Sequence, residues 1–571
     1  MPYNSLNDFI KLLEKKQQLI KIDYPVSTEL EITEIADRVI SKGGPALLFN
    51  NTGKNFPLLI NAFGTEERMC LALGINNFDE LTDSIQEIIN EILFTPKTKI
   101  IDKIKLLSSF KKLSFILPKL KKGKGECQEI IMNPPDITKL PILKCWPYDG
   151  GPFITLPLVH TISPNTNIRN VGMYRMQVIN NNSTGMHWHL HKGGAKHYEE
   201  YKEKNQIMPV VVTLGGDPVY TYVATAPLPD NVDEYLLAGF IRKKNVELVK
   251  CLTCNIEVPA DVDFVIEGYI DPNEELIEEG PFGDHTGFYS LKEKYPIFHI
   301  TCITHKRKAI YPTTIVGIPV KEDAFFAKAT ERIFLPLIKN IAPEIIDINM
   351  PPEGVFHNIC IVKIKKHYPA QAIKVMNALW GVGQMMFNKY LIVIDQNTNI
   401  NNYYEILKYI SKNTVLPNNC IIVPGPLDIL DHAVENIGIG SKMGIDATIK
   451  LESEEQQLLI NNIPNTADNE TIMNEFPDII NINNLSQKIK LPIMIMCVKK
   501  LSHIDLKKLH YKIINSGLVN GIKFILYIDK TVDANNLPMV TWIASSNTIP
   551  ARDIFFDMQS NNNNTVMGIN A

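Results

Sequence analysis

The run NVGMYRMQVINNNSTGMHWHLHKGG, from Asn170 to Gly194, concentrates the residue types that do chemistry. Val171 to Ile179 has the character of a strand, NNNSTG that of a turn and Met186 to His191 that of a returning strand, so the run predicts an antiparallel hairpin. Side chains on a strand repeat every two residues, which puts His187, His189 and His191 on one face. A turn centred near Asn182 brings Asn170 towards the residues just after His191. Three imidazoles on one strand face are what a zinc hydrolase uses to hold a metal with one position open for water. For any single histidine, hydrogen bonding in a barrel wall is an equally economical reading.

Two acidic motifs follow. In EEGPFGDHTG, Glu278 to Gly287, a Gly-Pro-Phe-Gly turn separates Glu279 from Asp284 and can bring both carboxylates to one cavity. Paired carboxylates push their pKa values apart, which leaves one as a proton donor near neutral pH; taken alone, solvated turn acids are the simpler reading. In PLPDNVDEYLLAG, Pro227 to Gly239, Glu234 enters an apolar helical run, where it either caps the helix or offers oxygen to a hard cation. Of the nine cysteines only Cys251 and Cys254 stand close, and a lone C-x-x-C without a second pair or nearby histidines reads as structural before it reads as a metal site.

These residues need a scaffold. Leu6, Phe9, Ile10, Leu12 and Leu13 recur at helical spacing, a second helical pattern runs from about Leu30 to Ile40, Gly43-Gly44 ends it, and ALLFNN at Ala46 to Asn51 reads as a strand. A small α/β domain is expected at the start. Residues of about 125 to 315 alternate strand-like runs with Gly, Pro, Asn and Asp, so the middle is mostly β. Helical EDAFFAKATERIFLPLI and PAQAIKVMNALWGVGQMMF, then the buried strand LIVID at Leu391 to Asp395, restore an α/β pattern. Leu391 to Asn413 aligns without gaps on Ile525 to Asn547, matching Asp395 to Asp529 and Asn401-Asn402 to Asn535-Asn536, and M-G-I-[DN]-A follows each copy. A duplicated strand-loop-helix module is the reading, not a solenoid.

Bulk properties exclude several classes. A chain of 571 residues exceeds one hydrophobic core, and its 45% apolar and 21% charged content is that of a soluble protein. A formal net charge of -4 argues against broad phosphate neutralisation, so no nucleic-acid partner is expected. The N-terminal MPYNSLNDFIKLLEKK lacks the apolar core of a signal peptide, no run approaches the roughly 20 apolar residues that span a bilayer, and scattered cysteines suit a reducing cytoplasm. Lys97 to Lys124 interleaves lysines with apolar residues; peripheral contact with an anionic membrane is one reading, and a linker helix with solvated lysines is the preferred one.

The three motifs, in this order, resemble the UbiD family of reversible decarboxylases, and the resemblance runs from NSLNDFIKLLE through GGPALLF to KMGIDATIKL near residue 450. It implies an α/β and α+β multidomain protein in which a central split β-barrel flavin-binding domain is flanked by N-terminal and C-terminal α/β domains. The corresponding boundaries are 1–120, 121–315, 316–455 and a C-terminal extension, 456–571, that repeats part of the preceding domain. By similarity Asn170, His191 and Glu234 hold a divalent ion, usually Mn2+, that bridges to the flavin phosphate, with K+ nearby. Met173, Tyr174, Arg175, His187, Trp188, His189, Lys192 and Gly193 line prenylated FMN, and Arg175, Glu279 and Asp284 form the catalytic set.

The implied reaction is decarboxylation of an aromatic or α,β-unsaturated acid, by analogy a polyprenyl-hydroxybenzoate or related precursor of ubiquinone or menaquinone. Loss of CO2 from an sp2 carbon needs an electron sink that side chains do not offer. The implied partners are the small acid, a flavin prenyltransferase that supplies the cofactor, and further copies of the chain in a homo-oligomer. Two features depart from the pattern: alternation puts Asn170 and Arg175 on opposite strand faces, so both reach one site only if the strand bulges, for instance at Gly172, or wraps the cofactor, and His187 stands where better-known quinone-pathway members carry Arg. The alternatives are a zinc hydrolase on the histidine strand, a non-catalytic assembly subunit and a conventional split-barrel flavin reductase.

Overall fold

The computed structural model describes residues 3–90, 114–189, 192–454, 464–558 and 565–571. His191 and residues 97–113 of the basic stretch lie outside the described residues. Contacts divide the chain into two units, Met1–Ile333 and Phe334–Ala571.

The first helix spans Leu6–Lys15 because Leu6, Phe9, Ile10 and Leu13 form one buried face and the Ser5 hydroxyl accepts from the Asp8 amide. A second helix, Glu31–Ile40, buries Ile32, Ala36 and Ile40. Both flank a four-stranded sheet ordered Leu19–Ile22, Ala46–Phe49, Leu58–Ile60 and Tyr311–Pro312. Its last strand arrives from some 250 residues later, with Tyr311 paired to Leu58 and Pro312 to Leu59.

Nine strands form the central sheet. In order they are Phe153–Ile154, Met176–Asn180, Ser183–Gly185, Ile297–His305, Phe264–Ile270, Met208–Leu214, Leu158–Ile162 and Arg169–Met173, with Ile130–Met132 also paired to Ile297–His305. Arg169–Met173 and Met176–Asn180 are separated by two residues in the chain but by six strand steps in the sheet. A flat sheet would hold them about 29 Å apart at ~4.8 Å per step. Three Cα steps from Met173 to Met176 reach at most about 11 Å. The sheet therefore curls until its ends meet, and Tyr174-Arg175 cross the gap: a split barrel. Its interior is filled by Val159, Met176, Val210, Val212, Phe264, Ile266 and Phe298, all buried.

Three expectations need correction. Val171 to Ile179 is not one strand, because Tyr174 and Arg175 leave the ladder to make that crossing. Gly172 carries no bulge; Leu158–Ile162 and Arg169–Met173 pair without a register shift. The returning strand ends at Gly185 rather than continuing through His187 and His189. Its second partner is Ile297–His305, and beyond Gly185 the Met186 amide donates to Pro296 while Trp188 turns back on Met186, which takes His187 and His189 off the ladder.

The Phe334–Ala571 unit contains two five-stranded sheets of identical order. One runs Ile345–Asn349, Ile359–Ile364, Tyr390–Asp395, Ile439–Asp446, Cys420–Pro426; the other Ile479–Asn484, Ile493–Val498, Phe524–Asp529, Thr565–Asn570, Ile554–Met558. The asparagines that match in the sequence do the same work in each copy. Asn402 and Asn536 cap the helices Tyr403–Asn413 and Leu537–Ser546, accepting from the amides of Glu405 and Met539. Buried Asn349 and Asn483 each donate at 2.8 Å to the loop before that cap, at Ile400 and Ala534.

Lys389 joins the two copies. Its buried ammonium donates to the carbonyls of Ser545 and Thr548 and pairs with Asp431 at 2.6 Å. Removing the cation alone leaves Asp431 buried without a counter-charge. Lys389→Met is therefore expected to destabilise this unit by about 3–5 kcal/mol in denaturant titrations, and Lys389→Met with Asp431→Leu to recover part of the loss. Equal stability of the single variant and the parent would refute this account.

Candidate active site

The seam of the barrel is where Arg175 emerges. Its partner in the crossing, Tyr174, packs edge-on against Trp188 with ring centroids 5.1 Å apart, and its hydroxyl accepts from the Gly194 amide at 3.0 Å. Arg175 donates from Nε and Nη2 to the two oxygens of Glu279 at 3.0 and 3.3 Å, from Nη1 to Asp284 at 2.5 Å and from Nη2 to the Ser290 hydroxyl at 3.1 Å. Its guanidinium also stacks over Phe282, 4.8 Å from the ring centroid. One side chain thus gathers residues 104 and 109 positions away in sequence.

A folded loop holds the two acids. Glu279 ends the strand Ile277–Glu279, which pairs with Glu293–Tyr295, and between them Ser290 and Phe282 bond to each other through the Ser290 amide and hydroxyl. The Gly280 amide donates to Gln177 at 2.7 Å and the Gly283 amide to Asp149 at 2.8 Å, so the loop is tied to the barrel at both ends of its turn. His187 hydrogen-bonds through Nδ1 to Glu279 at 3.0 Å, and its Nε2 lies 3.4 Å from the Tyr295 hydroxyl. With both nitrogens so engaged, His187 is not a zinc ligand. Its ring stands 5.1 Å from that of His189, and among the described residues no three ligand atoms converge there.

The charges settle in one way. Burial raises both carboxyls, but the His187 hydrogen bond and Arg175 draw Glu279 below its usual value, and His285 with Arg175 draws Asp284 much further down. Both acids are ionised. The expected splitting of their pKa values fails because a cation lies between them, so neither has to hold a proton to relieve the other. Burial and then Arg175 lower His187, which stays neutral beside them.

A second group of polar atoms sits on the strand leading into the seam. Asp233, not Glu234, caps the helix Glu234–Arg242, accepting from the Tyr235 amide, and Arg169 clamps that cap to the strand at 2.6 Å. Glu234 is thereby turned to the strand, where it accepts from the Val171 amide at 2.8 Å. Burial pushes its carboxyl up to about 8. The adjacent Asn170 has a buried Nδ2 without a partner, and its Oδ1 lies so close to Gly193 that a Cβ there would stand 2.0 Å away. An amide oxygen and a buried, uncompensated carboxylate are a donor set for a hard cation. Lys192 precedes the helix Gly193–Glu203 and its side chain has no acceptor with which to cap it; the Tyr174 hydroxyl takes the Gly194 amide, and a helix start of this kind suits an anion such as phosphate.

Of the expected residues, Arg175, Glu279, Asp284 and His187 are joined directly, and Asn170, Glu234 and Gly193 meet at the strand before the seam. Four neighbours were not anticipated: Phe282 and His285 lie within the EEGPFGDHTG motif, whereas Ser290 and Tyr295 carry no local signal.

Comparison with known proteins accords with this geometry. Models of the 3-octaprenyl-4-hydroxybenzoate carboxy-lyase N-terminal, Rift-related and C-terminal domains match residues 10–88, 118–319 and 324–447. An uncharacterized protein of Aquifex aeolicus is 47% identical over 456 residues, 79% of this chain and 93% of the relative; one of Archaeoglobus fulgidus is 44% identical over 457 residues, 80% and 93%. Among solved structures, vanillic acid decarboxylase of Sedimentibacter hydroxybenzoicus in closed form is 25% identical with a TM-score of 0.70, covering 80% of this chain and 94% of that one. HmfF of Pelotomaculum thermopropionicum, solved with FMN, is 23% identical with a TM-score of 0.66, covering 80% and 96%. The chain belongs to the UbiD family and is a carboxy-lyase. The matched segments end at residue 447, before the second five-stranded sheet.

If Glu234 is a ligand, cation binding must displace its proton. Mn2+ affinity of the metal-free protein should then rise roughly tenfold per unit from about pH 7 to the Glu234 value of about 8 and level off above it. Calorimetric titration that finds constant affinity across that interval removes Glu234 from the site.

Proposed function

We propose that this chain releases CO2 from an aromatic or α,β-unsaturated carboxylic acid with prenylated FMN as cofactor, and that the Arg175–Glu279–Asp284 cluster is its catalytic centre. The observation that carries the reading is the single guanidinium shared by two buried, ionised carboxylates at the barrel seam. The solved relatives support it: one is a vanillic acid decarboxylase, and others of the same fold hold FMN or prenylated FMN.

When bound, prenylated FMN supplies the electron sink for the pair left on carbon as CO2 departs. Asn170, Glu234 and His191 would hold Mn2+ at its phosphate, with K+ nearby, and Lys192 and Gly193 offer the helix start to the same anion. Met173, Tyr174, His187, Trp188 and His189 complete the cofactor wall.

The chain's own groups handle the carboxylate and the proton. Arg175 orients the substrate carboxylate by paired hydrogen bonds. The incoming anion competes with Asp284 for Nη1, and Asp284, deprived of its cation, becomes basic enough to take a proton. Asp284 returns that proton to the carbon, and Glu279, oriented by His187, relays its replacement. The balance is one carboxylate and one proton in, one C–H bond and one CO2 out.

The substrate we favour is a polyprenyl-hydroxybenzoate or related quinone precursor, in agreement with the description of the matched family. A flavin prenyltransferase would supply the cofactor. The Phe334–Ala571 unit, with its duplicated sheets, is assigned to homo-oligomer assembly. Among the described residues no helix is long and apolar enough to cross a membrane; peripheral contact through the Lys97 to Lys124 stretch would serve a lipid-tailed substrate in the cytoplasm.

The protein produced with a flavin prenyltransferase should release CO2 from hydroxybenzoic acids, and in D2O the product should carry one deuterium at the former carboxyl carbon. Glu279→Gln should lower turnover by at least about a hundredfold while the flavin spectrum is retained. Turnover within a few-fold of the parent would end the assignment of Glu279.

A further inference from the structure

The barrel carries a second cluster of reactive side chains, in unit Met1–Ile333 and apart from the seam residues described above. The strands Glu247–Lys250 and Glu257–Pro259 form an antiparallel hairpin, and its turn, closed by the Cys251 amide on the Ile256 carbonyl, contains Cys251 and Cys254. Under this turn lies Glu267, in the middle of the Phe264–Ile270 strand. The carboxylate accepts from the Leu252 amide at 2.9 Å and from the Thr253 amide and hydroxyl at 2.6 and 2.7 Å. The turn is thus fastened to the barrel by its two central residues, which leaves the flanking thiols beside the carboxylate. The two sulfurs and a Glu267 oxygen all lie within 4.8 Å of one another.

Charge makes this arrangement unusual for packing alone. Glu267 is fully buried, and among the described residues no lysine, arginine or histidine forms an ion pair with it. Cys251 is buried and Cys254 half-buried, and the Cys251 thiol hydrogen-bonds to Cys254. Cys302 faces Glu267 across the ladder, at a register shift between Glu267 and Gly268.

We propose that Cys251, Cys254 and Glu267 bind a zinc ion, and that Cys302, outside the 4.8 Å group but paired with Glu267 on the ladder, moves in as the fourth ligand. Thiolate donors select Zn2+ over the hard cations suited to the Asn170–Glu234 group. Tetrahedral Zn–S bonds of ~2.3 Å put sulfurs about 3.7 Å apart, within the spacing of these ligand atoms. A C-x-x-C in a hairpin turn supplies two ligands from one loop, and Glu267 and Cys302 supply two from neighbouring strands, so the ion would rivet the hairpin to the barrel wall. The role is structural, and it stands whether or not the carboxylate cluster at Arg175 acts as proposed above.

The test uses the full-length flavin-loaded enzyme purified under reducing conditions without chelator. Elemental analysis should find about one zinc per chain, and zinc X-ray absorption should show a sulfur shell at ~2.3 Å, which the sulfur-free Asn170, Glu234 and His191 set does not provide. The Cys251→Ser/Cys254→Ser variant should lose that zinc and keep its flavin. Should that variant fail to fold, the sulfur shell of the parent protein still decides. Absence of zinc, a shell of nitrogen and oxygen only, or an intact mass two hydrogen atoms lighter from a Cys251–Cys254 disulfide would each overturn the proposal.

Discussion

Everything in the first unit depends on how a sheet with neighbouring strands at its two ends is closed by two residues. Tyr174 and Arg175 cannot join the ladder, since they must cover the gap between Arg169–Met173 and Met176–Asn180. Residues excluded from the ladder are free to turn their side chains to other tasks. Tyr174 locks the wall against Trp188 and Gly194, and Arg175 gathers the acids. The closure of the barrel and the assembly of the candidate site are one event.

A buried guanidinium between two buried carboxylates leaves a net negative charge, an expensive arrangement for stability alone. It is tolerable here because Glu279 is also bonded to His187 and Asp284 to the ring and amide of His285, and the loop that carries them is tied to the barrel. The same crowding gives the cluster its response to an incoming anion. A ligand that takes Arg175 from Asp284 raises that acid's proton affinity, because after the His285 hydrogen bond the guanidinium is the largest influence holding it ionised.

Local elements were legible in the sequence wherever the pattern was local. The helix Leu6–Lys15, the helix Glu31–Ile40 and the strand Ala46–Phe49 follow from apolar spacing, and the matched Asn402 and Asn536 of the C-terminal repeat proved to be equivalent caps. Strand identity failed where the partner was distant. Ser183–Gly185 pairs with Ile297–His305, more than 100 residues on, so nothing near Met186 announces that the ladder ends there. The residue types at Arg175, Glu279 and Asp284 pointed to chemistry, but their ionisation did not, since it depends on which charge lies between the acids. Ser290 and Tyr295 were invisible because they are ordinary loop and strand residues until the loop folds back.

The return of Tyr311–Pro312 to the N-terminal sheet has a temporal meaning. The helices and strands of the first 60 residues leave the ribosome early, yet the Tyr311 amide that bonds to Pro57 and the Thr313 amide that bonds to Leu59 do not exist until the barrel has been translated. At typical synthesis rates that is a wait on the order of 10–50 s. During it the Leu58–Ile60 strand has a naked edge, and the nascent chain must keep that edge from pairing elsewhere until its own distant segment emerges.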